Sequence, residues 1–105
     1  MEPKIISVRQ PKPEGSGPLY RDMLYQAAAH DFNLIQAVPG FCKEPHPYPA
    51  GDAFMLVLQG SMELTVDGVA YPLAAGQLAI VPKGAVRGFT AGPEGFTMFA
   101  AHLKG

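Results

Sequence analysis

A single cysteine and no tryptophan stand among the 105 residues. One thiol excludes an intramolecular disulfide, a dithiol redox pair and a cysteine-built zinc framework, so Cys42 reads as a small half-buried hydrophobe. Charge is scarce as well. Charged residues make up 16% of the chain, and 8 Lys+Arg against 9 Asp+Glu leave a net charge of -1. That balance offers no basic face to a phosphate backbone and no polybasic run to anionic lipid, so neither nucleic acid nor membrane is expected as a partner. The longest apolar runs are strand-sized, too short for a membrane span. The opening MEPKIISVRQ lacks the apolar core and cleavage site of a signal peptide, which makes the cytoplasm the expected location. Also absent are a phosphate-cradling Gly-x-x-x-x-Gly-Lys, a Gly-x-Ser-x-Gly elbow and a Cys or His pair at zinc spacing.

What is present in quantity is turn punctuation. The 12 Gly and 11 Pro are scattered between short apolar runs, the pattern of an all-β domain. Lys4 to Val8 reads as a first strand, and Pro11, Pro13, Gly15, Gly17 and Pro18 as an irregular connection. From Leu19 to Ala28 the apolar residues fit helical spacing, yet Arg21 to Ala27 fits a strand equally well. Asn33 to Val38 reads as a strand. Phe54 to Gln59 is a continuous apolar run ending at Gly60, as in a strand buried on both faces. Met62, Leu64 and Val66 alternate with Ser61, Glu63 and Thr65, and Asp67-Gly68 supplies the turn of a hairpin returning through Val69 to Leu73. Leu78 to Val81, Ala85 to Ala91 and Phe96 to Leu103 follow as strands, the last two separated by Gly92-Pro93-Glu94-Gly95. Phe41, Phe54, Met55, Phe89, Phe96, Met98 and Phe99 are the expected core and pocket wall. A double-sheet jelly roll covers the edges of so many antiparallel strands within about 100 residues.

Two stretches between His46 and Phe89 resemble the paired motifs of the cupin superfamily. Gly76, Pro82 and Gly84 match the second motif, whose closing histidine is here Arg87. The first motif, counted back from Gly60, puts Ala53 at its glutamate, Tyr48 at its second histidine and His46 at its first. The resemblance implies an all-β, antiparallel jelly-roll barrel, with residues 1–32 as an N-terminal arm and first strands and 33–105 as the barrel proper. Typical members hold a divalent metal with three histidines and a glutamate, of which only His46 is kept. No cofactor is therefore expected, since one imidazole does not retain a first-row ion. A rebuilt metal site would draw on His46, Asp52 and His102. Asp52 lies one residue from the missing glutamate, a shift that reverses its face unless Gly51 bulges.

The resemblance further implies that His46, Tyr48 and Arg87 face the barrel mouth as ligand-binding residues. A guanidinium fork, a phenol and an imidazole suit a small polar or anionic molecule better than a cation. Blander readings stand beside this one. Arg87 reaches the rim, to solvent or to Glu94 or Asp52; His46 is an exposed residue between two prolines; and Tyr48 packs with a wet hydroxyl. His102 alternates in phase with Phe96, Met98 and Ala100, although a histidine at a fraying C-terminus is the preferred reading. His30 carries no assigned role.

The functional expectation is a barrel that binds a small anion without metal. The alternative is an enzyme: a metal-dependent oxygenase, isomerase or epimerase with rebuilt ligands, or a metal-free acid–base catalyst using His46 with Tyr48. A third option acts only through its surface. A homodimer, packed through N-terminal strands such as Lys4 to Val8, is the expected assembly.

Overall fold

The computed structural model describes residues 1–8 and 11–105, and every described element is an antiparallel β-strand. In chain order these are β1 (Leu19–Gln26), β2 (His30–Ala37), β3 (Cys42–Pro47), β4 (Gly51–Val66), β5 (Val69–Ala74), β6 (Leu78–Val81) and β7 (Val86–Lys104). The hydrogen-bonded order is β1-β2-β7-β4-β5, with β3 pairing β7 and β6 pairing β4. No helix among the described residues is long and apolar enough to cross a membrane.

The ambiguous segment after Pro18 is a strand, because Leu19 to Gln26 pairs with Gln26's own hairpin partner, β2, and a bulge between Met23 and Tyr25 absorbs its odd spacing. Two expected breaks are instead bends within continuous strands. Gly60 does not end the apolar run: β4 continues through it to Val66. Likewise Gly92-Pro93-Glu94-Gly95 does not break the chain, and β7 runs from Val86 to Lys104. The first part of β4 pairs with the last part of β7, Gly51↔Lys104 to Gly60↔Phe96, and the second pairs Met62↔Ala91 to Val66↔Arg87. Both strands turn the same corner together, with Gly60 and Gly95 at positive φ and an added Cβ on Gly60 colliding with the Gly95 carbonyl.

Alternation then sorts the side chains. Ala53, Met55, Val57, Met62 and Leu64 of β4 point inward with Ile35 and Ala37 of β2 and Phe96, Met98 and Ala100 of β7. Phe54 and Leu56 point the other way and are only half-buried, and Leu58 is exposed, so the run is not covered on both faces as its composition suggested. Phe99 shares that outer side, facing Leu34 across the β2–β7 ladder. The Asp67-Gly68 turn forms as expected, with both residues at positive φ.

Two expectations are corrected by the structure. Lys4 to Val8 is not a strand, because it has no partner ladder, and its side chains are exposed. Cys42 is exposed on β3 rather than half-buried. β2 begins at His30 and pairs throughout with β7.

The corner carries a test. Gly60→Ala should cost about 2 kcal/mol or more, from a disfavoured φ plus backbone overlap. Gly84→Ala, also at positive φ but with nothing within 4 Å of its added Cβ, should cost about 1–2 kcal/mol. Denaturant unfolding of the two variants measures the difference.

Candidate functional site

Because β7 turns the corner, its two arms face each other across the barrel. Fifteen residues of straight strand would part Arg87 from His102 by roughly 50 Å, yet Arg87 Nη2 stands 3.3 Å from His102 Nε2. Arg87 comes from the arm that pairs with β3 and the end of β4, opposite His46 and Val66. His102 comes from the arm between Asp31 of β2 and Ala53 of β4. Both are buried, Arg87 at 5% exposure and His102 at 9%. Arg87 therefore neither reaches the rim nor pairs with Glu94 or Asp52, and His102 is not a fraying terminus: it sits on the inward face it shares with Met98 and Ala100.

His102 is the middle of a chain of polar contacts. Its Nδ1 donates to Asp31 Oδ1 at 2.7 Å. Asn33 Nδ2 donates to the same oxygen at 2.8 Å, and Lys104 Nζ lies 3.4 Å from Asp31 Oδ2. Burial pushes the Asp31 carboxyl upward, but the hydrogen bond and charge of His102, with the Asn33 and Lys104 contacts, outweigh it and hold the group below its ordinary value. A carboxylate only accepts and a guanidinium only donates, so the network places the imidazole proton on Nδ1 and leaves the Nε2 lone pair toward Arg87. Burial draws the Arg87 guanidinium down from its ordinary range; the Tyr48 hydroxyl opposes this and Arg21 adds to it.

Tyr48 covers this pair. Its ring is 4.5 Å from the His102 ring, centroid to centroid, and the Arg87 guanidinium carbon lies 5.0 Å from its centre, a cation–π distance. The cavity itself, about 90 Å³, is lined by Leu19, Arg21, Ile35, Lys43, His46, Met55, Arg87, Phe89, Met98, Ala100 and His102. Three of these side chains carry positive charge and none is a carboxylate. His46 reaches the lining from exposed β3, its Nδ1 3.2 Å from the Glu44 carbonyl oxygen. Phe89 forms part of the wall and meets Phe96 edge-on at 5.3 Å.

The structure thus brings Arg87, His46 and His102 to one cavity and sets the Tyr48 ring against Arg87 and His102, while Asp52 is elsewhere. Asp52 faces out and accepts from the Lys83 backbone N–H at 2.8 Å, since β4 pairs without a bulge at Gly51. The set His46, Asp52 and His102 is accordingly not assembled. Among the described residues no three His, Cys, Asp or Glu side chains group closely enough to hold a metal ion. The donors that converge do not fit the family's divalent metal, because a guanidinium occupies the place of one ligand and repels a cation.

Sequence reasoning missed Asp31, Asn33, Arg21 and Lys43. Asp31 and Asn33 left a readable trace: they lie in phase with Ile35 and Ala37, so two polar side chains share a buried face. Arg21 and Lys43 left none, since exposed basic residues on edge strands are commonplace.

The Asp31 network sets a pH-dependent stability. A carboxyl lowered by folding stabilises the protein above its unfolded pKa, about 3.9, and loses that contribution as pH falls through the lower folded value. Asp31→Asn should cost roughly 1.5–3 kcal/mol at pH 7, and urea unfolding should show the gap to the parent closing below about pH 4.

Relatives agree with this architecture. A model of the cupin domain matches residues 33–100. Dimethylsulfoniopropionate lyase DddW of Ruegeria pomeroyi is 32% identical over 90 residues, 77% of this chain and 59% of the lyase, so the chain spans less than two thirds of that relative's length. A conserved protein with a double-stranded β-helix domain from Klebsiella pneumoniae superposes with a TM-score of 0.83 at 27% identity, over 99% of this chain and 92% of its own. A cupin superfamily protein from Desulfitobacterium hafniense gives 0.80 at 22%, over the whole of both chains. The bent pair of long strands, the inward face they build and the extent of the family match together make this chain a member of the cupin family.

Proposed function

We propose that the barrel interior binds a small carboxylate or comparable anion, held by Arg87 without a metal. The observation that carries this reading is the charge of the wall: Arg21, Lys43 and Arg87 line one cavity with no carboxylate among its lining residues. Cationic groups around a partly desolvated space are worth more to an anion than the same groups in water. Arg87 presents a planar fork to a carboxylate, and its 3.3 Å contact with His102 is long enough to yield to a better acceptor. The size suits few atoms. The cavity is small, about 90 Å³.

The lyase relative bears on the ligand class through its name alone. Its substrate joins a propionate carboxylate to a sulfonium cation. The carboxylate half fits the Arg87 fork, whereas the cationic half would meet the field of Arg21, Lys43 and Arg87. This reading therefore favours an uncharged or anionic group in place of the sulfonium.

Thermal unfolding tests the proposal with pyruvate, malonate and inorganic phosphate as probes and acetamide as the neutral control. At 100 times Kd a bound anion adds about 2.7 kcal/mol, a rise of roughly 10 °C or more for a domain of this size. Arg87→Ala should abolish the rise measured against that variant's own ligand-free Tm. An equal rise in parent and variant would place the anion elsewhere.

A further inference from the structure

Tyr48, Arg87 and the basic wall account for an anion site, but they leave the Asp31–His102 pair without a purpose. Anion binding needs no carboxylate inside the barrel, and Asp31, 7% exposed, lowers the positive potential that binding uses. What Asp31 does locally is orient an imidazole. With Nδ1–H spent on Oδ1 at 2.7 Å, what remains to His102 is the Nε2 lone pair, which the long 3.3 Å contact with Arg87 releases when the guanidinium turns to an anion, and His102 is part of the cavity wall. Asn33 and Lys104 fix the carboxylate in turn, at 2.8 and 3.4 Å. The neighbouring Arg87 guanidinium, 3.3 Å from Nε2, can only donate, so Nε2 faces it as an acceptor. A buried histidine oriented by a buried carboxylate, with its free nitrogen beside an anion-binding arginine, is the arrangement of a general base next to a substrate carboxylate.

We propose that His102 is such a base, positioned by Asp31, and that the pocket removes a proton from the carbon beside the carbonyl of a small 2-oxo acid. This inference rests on the anion-site reading above and deepens it by naming the substrate class. A simple carboxylate is excluded on acidity, because its α-proton is far too weakly acidic for an imidazole, whereas a ketone carbonyl brings the carbon acid within reach. In the step, the C–H bond breaks and its proton forms a bond to Nε2. The electron pair moves into the carbon–carbon bond as the carbonyl becomes an enolate, whose oxygen lies in the field of Arg87. Nε2 then returns a proton to the same carbon, so no oxidant, reductant or second substrate is consumed. Arg87 and His102 touch the reacting molecule; Asp31 acts through His102 as a positioning residue. The Tyr48 ring, its centroid 4.5 Å from that of His102 and tilted 36° to it, limits water on that side of the imidazole.

The test uses pyruvate in deuterium oxide, with methyl-proton exchange followed by proton NMR and binding followed by the Tm rise of the same samples. The expected result is exchange above the buffer rate, lowered at least about 100-fold in His102→Asn and His102→Gln, while both variants still bind pyruvate. Arg87→Ala should lose binding and exchange together. Binding without exchange, or exchange unchanged by both His102 variants, overturns the base and leaves the anion site standing. Stabilisation by malonate or phosphate but not by pyruvate overturns the 2-oxo acid class. Failure of all three anions overturns the anion site and the base with it. A second readout needs no activity: ¹⁵N NMR of the parent protein should show the His102 proton on Nδ1, and Asp31→Asn should shift population toward Nε2–H with a fall in exchange. A parent protein with its proton on Nε2 contradicts the proposal outright.

Discussion

The bend shared by β4 and β7 is the constraint on which the rest of the molecule depends. Two long antiparallel strands stay paired along their length while turning a corner at Gly60 and Gly92 to Gly95, which converts one ladder into two facing walls. The turn is permitted by glycines at positive φ and by the absence of side chains where the two backbones close on each other. Every inward residue inherits its partner from that geometry. The apolar partners, Met55, Val57, Met62, Leu64, Phe96 and Met98, form the core, and the polar ones, Arg87 and His102, meet where the core gives way to a cavity.

Those polar groups are held in place by hydrogen bonding rather than by packing alone. Asp31, Asn33 and His102 would each be costly to bury singly. Buried as a chain, with Lys104 at one end and Arg87 at the other, they satisfy one another's donors and acceptors and leave two unlike faces: a cation on one side and an imidazole lone pair on the other. Asn33 keeps one carbonyl oxygen without a partner, so the network is not closed. The basic wall that Arg21 and Lys43 add comes from the more exposed strands β1 and β3, whose positions are the freest to vary in charge.

The fold was legible from the residues to a large degree, because its signals are local. The Asp67-Gly68 hairpin, the strand at Leu78 to Val81 and the turns at Gly76, Pro82 and Gly84 each follow from a few adjacent residues. Continuity was not legible: Gly60 and the Gly92 to Gly95 segment look like strand ends, since a glycine reads alike whether it stops a strand or bends it. The site divided along the same line. The motif positions led to Arg87 and Tyr48 from spacing, but His102 and Asp31 gain their meaning from a contact between residues 71 apart, which no local pattern encodes. Asp52 misled because proximity in sequence to a motif position says nothing about which face a strand residue takes.

Arg87 and His102 belong to one strand, and that fact bears on how such a chain tolerates change in length. A single residue gained or lost within either arm of β7 would turn every later side chain of that arm inside out, exchanging a pocket wall for a solvent face. Replacement of a side chain leaves the frame intact. Divergence of this cavity is thus channelled into substitutions rather than insertions and deletions, as the chain itself illustrates: tyrosine, alanine and arginine stand at positions 48, 53 and 87 while the intervals between Gly76, Pro82 and Gly84 are kept.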